Sequence, residues 1–455
     1  MKHRLLGAAV AAGCALAAVG TGPVHAAADE LRIQAPYGTV LPAPDANGSA
    51  RERTLDVQIS HDDLDNAVPA GRLTVDASEI ASFAQVSWPA NCAPESATRA
   101  VCDVPAMPAG TRDVSAALIG LRALPDAGLD ASGNVRYSAT AGELSASDAE
   151  TRITVGNGPD LGLSQAPWQQ GLTPGTDHTV RSTVTNNGNR AVERTLLWVN
   201  ASYGLHFKER HANCEYRDNA IGTGALCVLD EKVSPGQRYD LVTRLRIGRQ
   251  ALYDRLDHSV VPYSDAALEE ARGGLEWTRG EGPELNLRPV AGQRAAAGED
   301  DVDLSDNYRI VALDAKNTAD FKVTGSRVRG AAGDTVTARM TVFNRGPAWV
   351  ASLGAGSPVA TLRFQAPAGT SVVGLPEDCW TQLPSDEGPS AVTYYCSSPI
   401  HLHDRASFTV DVQLRIDEVV RGARAVVETA EDTELPVGRF DPNLRNNVSS
   451  IVVNG

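Results

Sequence analysis

Gly333-Asp334-Thr335-Val336-Thr337-Ala338-Arg339-Met340-Thr341-Val342-Phe343-Asn344-Arg345-Gly346-Pro347 decides the fold class of this chain. Val336, Ala338, Met340 and Val342 alternate with Thr335, Thr337, Arg339 and Thr341, and a period of two belongs to a strand with one dry face and one wet face. The Asn-x-Gly ending signals a turn, because Asn and Gly tolerate the left-handed backbone that reverses a strand. The same pattern occurs earlier without gaps. Laying Gly175–Gly188 over Gly333–Gly346 matches Gly175/Gly333, Thr179/Thr337, Arg181/Arg339, Thr183/Thr341, Val184/Val342, Asn186/Asn344 and Gly188/Gly346. A repeated β-module is the simplest account.

Other segments agree. Phe408, Val410, Val412, Leu414 and Ile416 alternate, as do Tyr239, Leu241, Leu245 and Ile247, with Thr243 the polar inward position. Leu55, Val57 and Ile59 repeat the pattern near the N-terminus without an Asn-x-Gly after them. Asx-rich corners, Asp303-Leu304-Ser305-Asp306-Asn307 and Asn443-Leu444-Arg445-Asn446-Asn447, each precede a closing apolar segment; Ser147-Asp148-Ala149-Glu150 before Ile153 and Val155 is a weaker echo. Six of the seven cysteines fall as pairs, Cys92/Cys102, Cys214/Cys227 and Cys379/Cys396, and twelve residues after each pair stand Val114, Tyr239 and Phe408. The spacings are not C-x-x-C and no histidines sit at ligand distance, so three structural disulfides, one per module, are expected rather than zinc or redox chemistry. The first module has no lysine, so disulfides rather than lysine isopeptide bonds are expected as staples.

The stretch Gly333–Pro347, with Ala366-Pro367-Ala368-Gly369-Thr370, Cys379, Tyr395-Cys396 and Asp441-Pro442-Asn443-Leu444-Arg445-Asn446-Asn447, resembles the "domain of unknown function eleven" repeats of bacterial envelope proteins. The resemblance covers most of the third module, much of the second and little of the first. It implies an immunoglobulin-like β-sandwich displayed outside the cell, and it brings no catalytic motif. High Ala, Gly and Arg with five lysines looks actinobacterial, Streptomyces-like. The expected architecture is all-β: three tandem immunoglobulin-like antiparallel sandwiches at 29–158, 159–313 and 314–455. The second carries an insertion at about 249–299, including a short helix over Ala266–Arg272. Gly156-Asn157-Gly158-Pro159 reads as a flexible linker.

Residues 1–28 read as an export signal: Lys2 and Arg4, the apolar run Leu5–Gly20, then Val24-His25-Ala26 or Ala26-Ala27-Ala28 as cleavage site. Lipidation at Cys14 is the alternative; secretion by a cleaved signal is the expectation, with no membrane insertion afterwards. The chain carries a formal charge of −15, and loss of Lys2 and Arg4 brings it to about −17. An acidic surface offers no footprint for nucleic acid or anionic lipid.

Candidate sites are few. Glu299, Asp300, Asp301, Asp303, Asp306 and Asn307 could supply oxygens to Ca²⁺, although Asx-rich corners ordinarily cap turns. Otherwise no cofactor is expected. His61-Asp62-Asp63-Leu64-Asp65 reads as a solvated loop. His401 and His403 share one face if extended, and surface histidines are the expectation there. Trp168 and Trp349 fall in loops and could stack on sugar rings, whereas Trp198 and Trp380 read as core, Trp380 packing on its disulfide. Serine-hydrolase, zinc-protease, P-loop and dinucleotide fingerprints are absent from the sequence. The leading expectation is a secreted or envelope-associated non-catalytic repeat protein acting as spacer, adhesion module or binding surface, with a cell-envelope polymer or surface protein as partner. The alternatives are a carbohydrate- or cell-wall-binding module and an extracellular hydrolase of unrecognised type.

Overall fold

The computed structural model describes residues 31–44, 50–61, 66–290, 306–354, 356–384, 391–430 and 437–455. Residues 1–28, expected as an export signal and including Cys14, and the acidic residues Glu299, Asp300, Asp301 and Asp303 lie outside them. Thr335–Asn344 is a ten-residue strand with Ala338, Met340 and Val342 fully buried, paired antiparallel with Ser407–Ile416 and Phe321–Thr324. Glu52–Ser60 behaves likewise, burying Leu55, Val57 and Ile59. Strand side chains alternate faces, so these residues can be dry only if a second sheet covers them.

Among the described residues, that cover comes from three sheet pairs with one common strand order. In the C-terminal pair, Phe321–Thr324, Thr335–Asn344, Ser407–Ile416 and Thr370–Gly374 face a sheet of Arg327–Val328, Val448–Val453, Ala423–Thr429, Thr361–Gln365, Thr393–Ser397 and Cys379–Gln382. The central pair sets Leu161–Leu163, Asp177–Asn186, Arg238–Ile247 and Leu205–Phe207 against Gln169–Leu172, Tyr308–Ala315, Tyr253–Pro262, Thr195–Ser202, Gly222–Leu229 and Cys214–Asn219. The N-terminal pair sets Arg32–Gln34, Glu52–Ser60, Asp113–Ala123 and Ala84–Ser87 against Gly38–Pro42, Ala149–Gly156, Ser132–Ala141, Gly71–Asp76, Arg99–Val104 and Cys92–Pro94. Each time the opening segment divides: its first half joins one sheet, and its second half runs parallel to the closing strand of the other. The result is all-β and immunoglobulin-like, with one apolar cluster inside each pair.

The cysteines are bonded as Cys92–Cys102, Cys214–Cys227 and Cys379–Cys396, with Cα separations of 3.8, 4.0 and 4.0 Å. Each bridge joins directly opposed residues of two neighbouring strands at one side of the larger sheet, rather than crossing the core between sheets. It therefore pins a hairpin that has few other constraints. The second cysteine of each pair, Cys102, Cys227 or Cys396, is buried and packs in the apolar cluster of its own sheet pair. Cys92 and Cys214 are buried as well. These sulfurs are structural staples inside the core, and a bonded, buried sulfur presents nothing to a ligand or a metal.

The local structure departs from the sequence expectation in several places. The turn after Asn186 and Asn344 is held less by a left-handed Asn than by its side chain. Asn344 is fully buried, its Oδ1 accepting from Gly346 N at 2.8 Å and its Nδ2 donating to Ala348 O at 2.8 Å and His403 O at 3.1 Å. Asn186 repeats this with Gly188 N, Arg190 O and Val233 O. Gly346 takes the positive φ, and a Cβ at Gly188 would lie 2.3 Å from Gly158 O.

The Gly156–Pro159 stretch is not a free linker. Asp160 beyond it is fully buried, and Gly158 O accepts from Asn189 N at 3.0 Å and Arg190 N at 3.3 Å. Tyr253–Pro262 is a regular strand between Thr195–Ser202 and Tyr308–Ala315, so the segment beyond the common order starts at Tyr263. Its helix spans Asp265–Arg272, capped by Ser264 Oγ accepting from Ala267 N and closed by Gly273 at φ +60°.

Candidate functional site: two bonded junctions and one open sheet face

Several buried polar groups are consumed where one sheet pair meets the next. Between the first and second, Arg53 reaches from Glu52–Ser60 to Asp160 Oδ2 at 2.9 Å and Asp306 Oδ2 at 2.7 Å, while its Nε donates to Thr39 Oγ1 at 3.2 Å. Its side chain is 10 % exposed and that of Asp160 0 %. Asn189 Nδ2 adds a bond to Ala43 O at 3.0 Å, and Asn187 Nδ2 one to Asp306 Oδ2 at 3.3 Å. Asp306, one of the oxygens that could have served Ca²⁺, is an ion-pair partner of Arg53 here. Among the described residues, no three His, Cys, Asp or Glu side chains gather as a cation site.

The second junction is built around Asp254. Its Oδ1 accepts from Ser202 Oγ at 2.5 Å, Gly204 N at 2.9 Å and Trp349 Nε1 at 3.1 Å; its Oδ2 accepts from Leu252 N at 3.0 Å. Burial pushes its carboxyl up to about 6, against the stabilising pull of those donors. Trp349, expected in a loop able to stack on a sugar, is instead fully buried in this contact. Loop position alone could not show that a neighbouring sheet pair covers the indole.

His401 and His403 also belong to this junction rather than to open surface. Their rings lie 5.1 Å apart, His403 stacks on Tyr203 at 4.1 Å, and His403 Nε2 lies 2.7 Å from Ala220 O. Burial, helped by the His403 charge, holds His401 below the ordinary imidazole range. His61 is buried too, its Nε2 2.8 Å from Thr111 O, while Asp62, Asp63 and Asp65 lie outside the described residues.

Outside the junctions, Trp168 is 55 % exposed. Trp198 is half-buried. Trp380 overturns its expected place in the core: it is 46 % exposed and stacks on Tyr395 with centroids 5.4 Å apart and planes 12° apart. The signal was available as parity. With Cys396 fully buried and Cys379 packed against the core cluster, Tyr395 and Trp380 beside them must project from the opposite face. That face carries a row of directly opposed residues across five strands: Trp380, Tyr395, Arg363, Glu428 and Val448. Arg363 is paired with Glu428, its Nε 3.2 Å from Oε1. Beside the row runs a groove of 680 Å³ lined in part by Tyr395, Gln365, Gln382, Thr393 and Arg424.

The equivalent faces of the other two pairs differ. In the first, the direct opposites Arg99, Asp76, Arg136 and Glu150 form a ladder of alternating charge. In the second, the helix Asp265–Arg272 and the segment after it lie on the face: Arg272 bonds Glu215, and the Trp277 ring comes within 3.2 Å of a Cβ placed on Gly224.

No protein-family model and no curated protein sequence matches the chain. Solved structures align weakly. The complex of Dpr2 Ig1-Ig2 with DIP-Theta Ig1-Ig3 aligns over 93 % of this chain and 99 % of that one, at 9 % identity and TM-score 0.23. The Escherichia coli adhesin FdeC aligns over 96 % and 100 %, at 12 % identity and TM-score 0.19. The third cohesin ScaC with the ScaB dockerin, from Acetivibrio cellulolyticus, aligns over 30 % and 99 %, at 17 % identity and TM-score 0.19.

Proposed function

We propose that this chain is a secreted or envelope-associated, non-catalytic binding protein. In this reading three tandem immunoglobulin-like modules, 29–158, 159–313 and 314–455, form one stiff spacer that presents a binding face on the third. Kinship with the "domain of unknown function eleven" repeats, a cleaved signal over 1–28 and an actinobacterial source belong to the same proposal. The observation that carries it is the use of buried charge. Arg53, Asp160 and Asp254, which could otherwise suggest chemistry, are spent on joining one module to the next. Stiff joints suit display, because a contact at the far end is then presented at fixed reach and orientation.

A second reading, carbohydrate or cell-wall binding, is favoured by the exposed Trp380–Tyr395 stack rather than by Trp168 or Trp349. Retention of the purified mature protein on envelopes of the producing cell tests the proposal. Specific, saturable retention without turnover in a broad hydrolase screen is the expected result. Turnover that survives purification and is lost on mutating one carboxylate or histidine would place the chain among the hydrolases instead.

A further inference from the structure

We propose that the outer face built on Cys379–Gln382, Thr393–Ser397, Thr361–Gln365 and Ala423–Thr429 is a binding site for uncharged sugar rings of an envelope polysaccharide. This rests on the binding reading above and assigns it a site and a ligand class. Three features of the face carry it.

The first is a fixed aromatic platform. Trp380 stands at the side of the sheet with its ring oriented by Tyr395, so a broad apolar face is presented with little conformational freedom left to lose. The axial C–H groups of a pyranose offer the flat apolar surface that such a ring accepts. The second is a set of planar polar groups around the groove, each half used inside the protein. Tyr395 Oη donates to Gln382 Oε1 at 3.0 Å, and Gln365 Nε2 donates to Thr393 Oγ1 at 3.2 Å. Among the described residues, no partner takes the Gln382 amide nitrogen or the Gln365 amide oxygen. Donor and acceptor therefore face solvent within one groove, as a ring of hydroxyls requires.

The third feature is charge. Arg363 is neutralised by Glu428 on the neighbouring strand, which among the described residues leaves Arg424 as a single cation on the groove lining, a donor to sugar hydroxyls rather than a cluster. On a chain of formal charge −15 one such cation is a weak attraction for phosphate or nucleic acid. The groove volume, 680 Å³, falls within the range of about 300–1,000 Å³ usual for small-ligand sites. A protein partner would call for a deeper apolar hollow at the centre of the face, whereas much of this lining is polar. Elsewhere the same face is ion-paired within itself in the first module and overlain by Trp277 and Arg272 in the second. Among the described residues, the third module alone presents it with an aromatic platform.

The test is retention of full-length mature protein on envelopes of the producing cell, untreated, periodate-oxidised or protease-digested. It is paired with affinity electrophoresis in neutral glucan, mannan and soluble chitin. Trp380→Ala, Tyr395→Ala and Gln365→Ala are compared with Trp168→Ala, each checked for an unchanged melting profile. Trp380→Ala is expected to weaken retention about tenfold, as loss of an anchor residue does. Gln365→Ala should weaken it severalfold and Trp168→Ala not at all; periodate should abolish it where the polymer carries vicinal diols, soluble chitin reporting on N-acetylhexosamine rings that periodate spares, and protease should leave it intact. Retention that survives both aromatic substitutions keeps the binding reading and overturns this site. Retention dependent on Trp380 but destroyed by protease and not by periodate overturns the sugar assignment in favour of a protein. No retention of the wild-type chain on any preparation overturns the binding reading itself.

Discussion

Replacing Arg53 by Met should detach the first sheet pair from the second. The guanidinium is 10 % exposed and lies 2.9 Å from Asp160 Oδ2, whose side chain is 0 % exposed, and 2.7 Å from Asp306 Oδ2, whose side chain is 17 % exposed. Methionine keeps the apolar stem but removes the charge, which leaves the Asp160 carboxylate buried without its cation. Breaking a buried pair on one side costs about 3–5 kcal/mol, whereas neutralising both partners is often close to neutral. Arg53→Met with Asp160→Asn should therefore recover most of the loss.

A chain of several sheet pairs is not expected to unfold in one step, so a single melting curve is a poor readout. Peptide-resolved hydrogen exchange over 156–161 and Glu52–Ser60 reads the junction directly. At about 1.4 kcal/mol per tenfold, protection there should fall by roughly two to three and a half orders of magnitude in the single variant. Limited proteolysis should open the Gly156–Pro159 stretch at the same time. A loss under tenfold, or a double variant as exposed as the single one, would refute the idea that this ion pair holds the junction.

Asp254 and His258 should oppose each other with pH, because burial raises the Asp254 carboxyl to about 6 and lowers the His258 imidazole to about 4. Asp254 binds more protons folded than unfolded, so its contribution is fullest below pH 3.8 and is lost as pH rises through 6. His258 binds fewer, so its contribution is fullest above pH 6.5 and is lost as pH falls through 4. Relative to wild type, Asp254→Asn should gain about 3 kcal/mol as pH rises from about 4 to 6, and His258→Gln a similar amount as pH falls over that range. Parallel slopes from urea titrations would contradict both assignments. Trp349→Ala should cost about 3–5 kcal/mol by emptying a fully buried site, and should widen the small-angle scattering envelope as the second junction loosens. An unchanged envelope and melt would contradict that. Paired Cys379→Ala and Cys396→Ala should cost about 3 kcal/mol for a loop closed over a sequence separation of 17. Non-reducing peptide mapping of the wild type should show Cys92–Cys102, Cys214–Cys227 and Cys379–Cys396 and no bridge between modules.

What the sequence determined is everything that depends on the two-residue period of a strand. Leu55, Val57 and Ile59, like Ala338, Met340 and Val342, had to share a face, and a face so apolar had to be covered. The paired cysteines and the short helix near Ala266 were equally local and equally legible. Parity also carried the signal that Trp380 and Tyr395 project away from their disulfide, against the core place expected of Trp380. Parity says only which side a residue leaves by, not what lies above that side.

Whether solvent, an insertion or the next sheet pair covers an outward residue depends on how the sheet pairs dock, and the loops that decide this have no period to read. Only the tertiary structure could therefore bury Trp349 against Asp254, draw Arg53 onto Asp160 and Asp306 from far along the chain, and lay Trp277 over one sheet face while leaving Trp380 open on another.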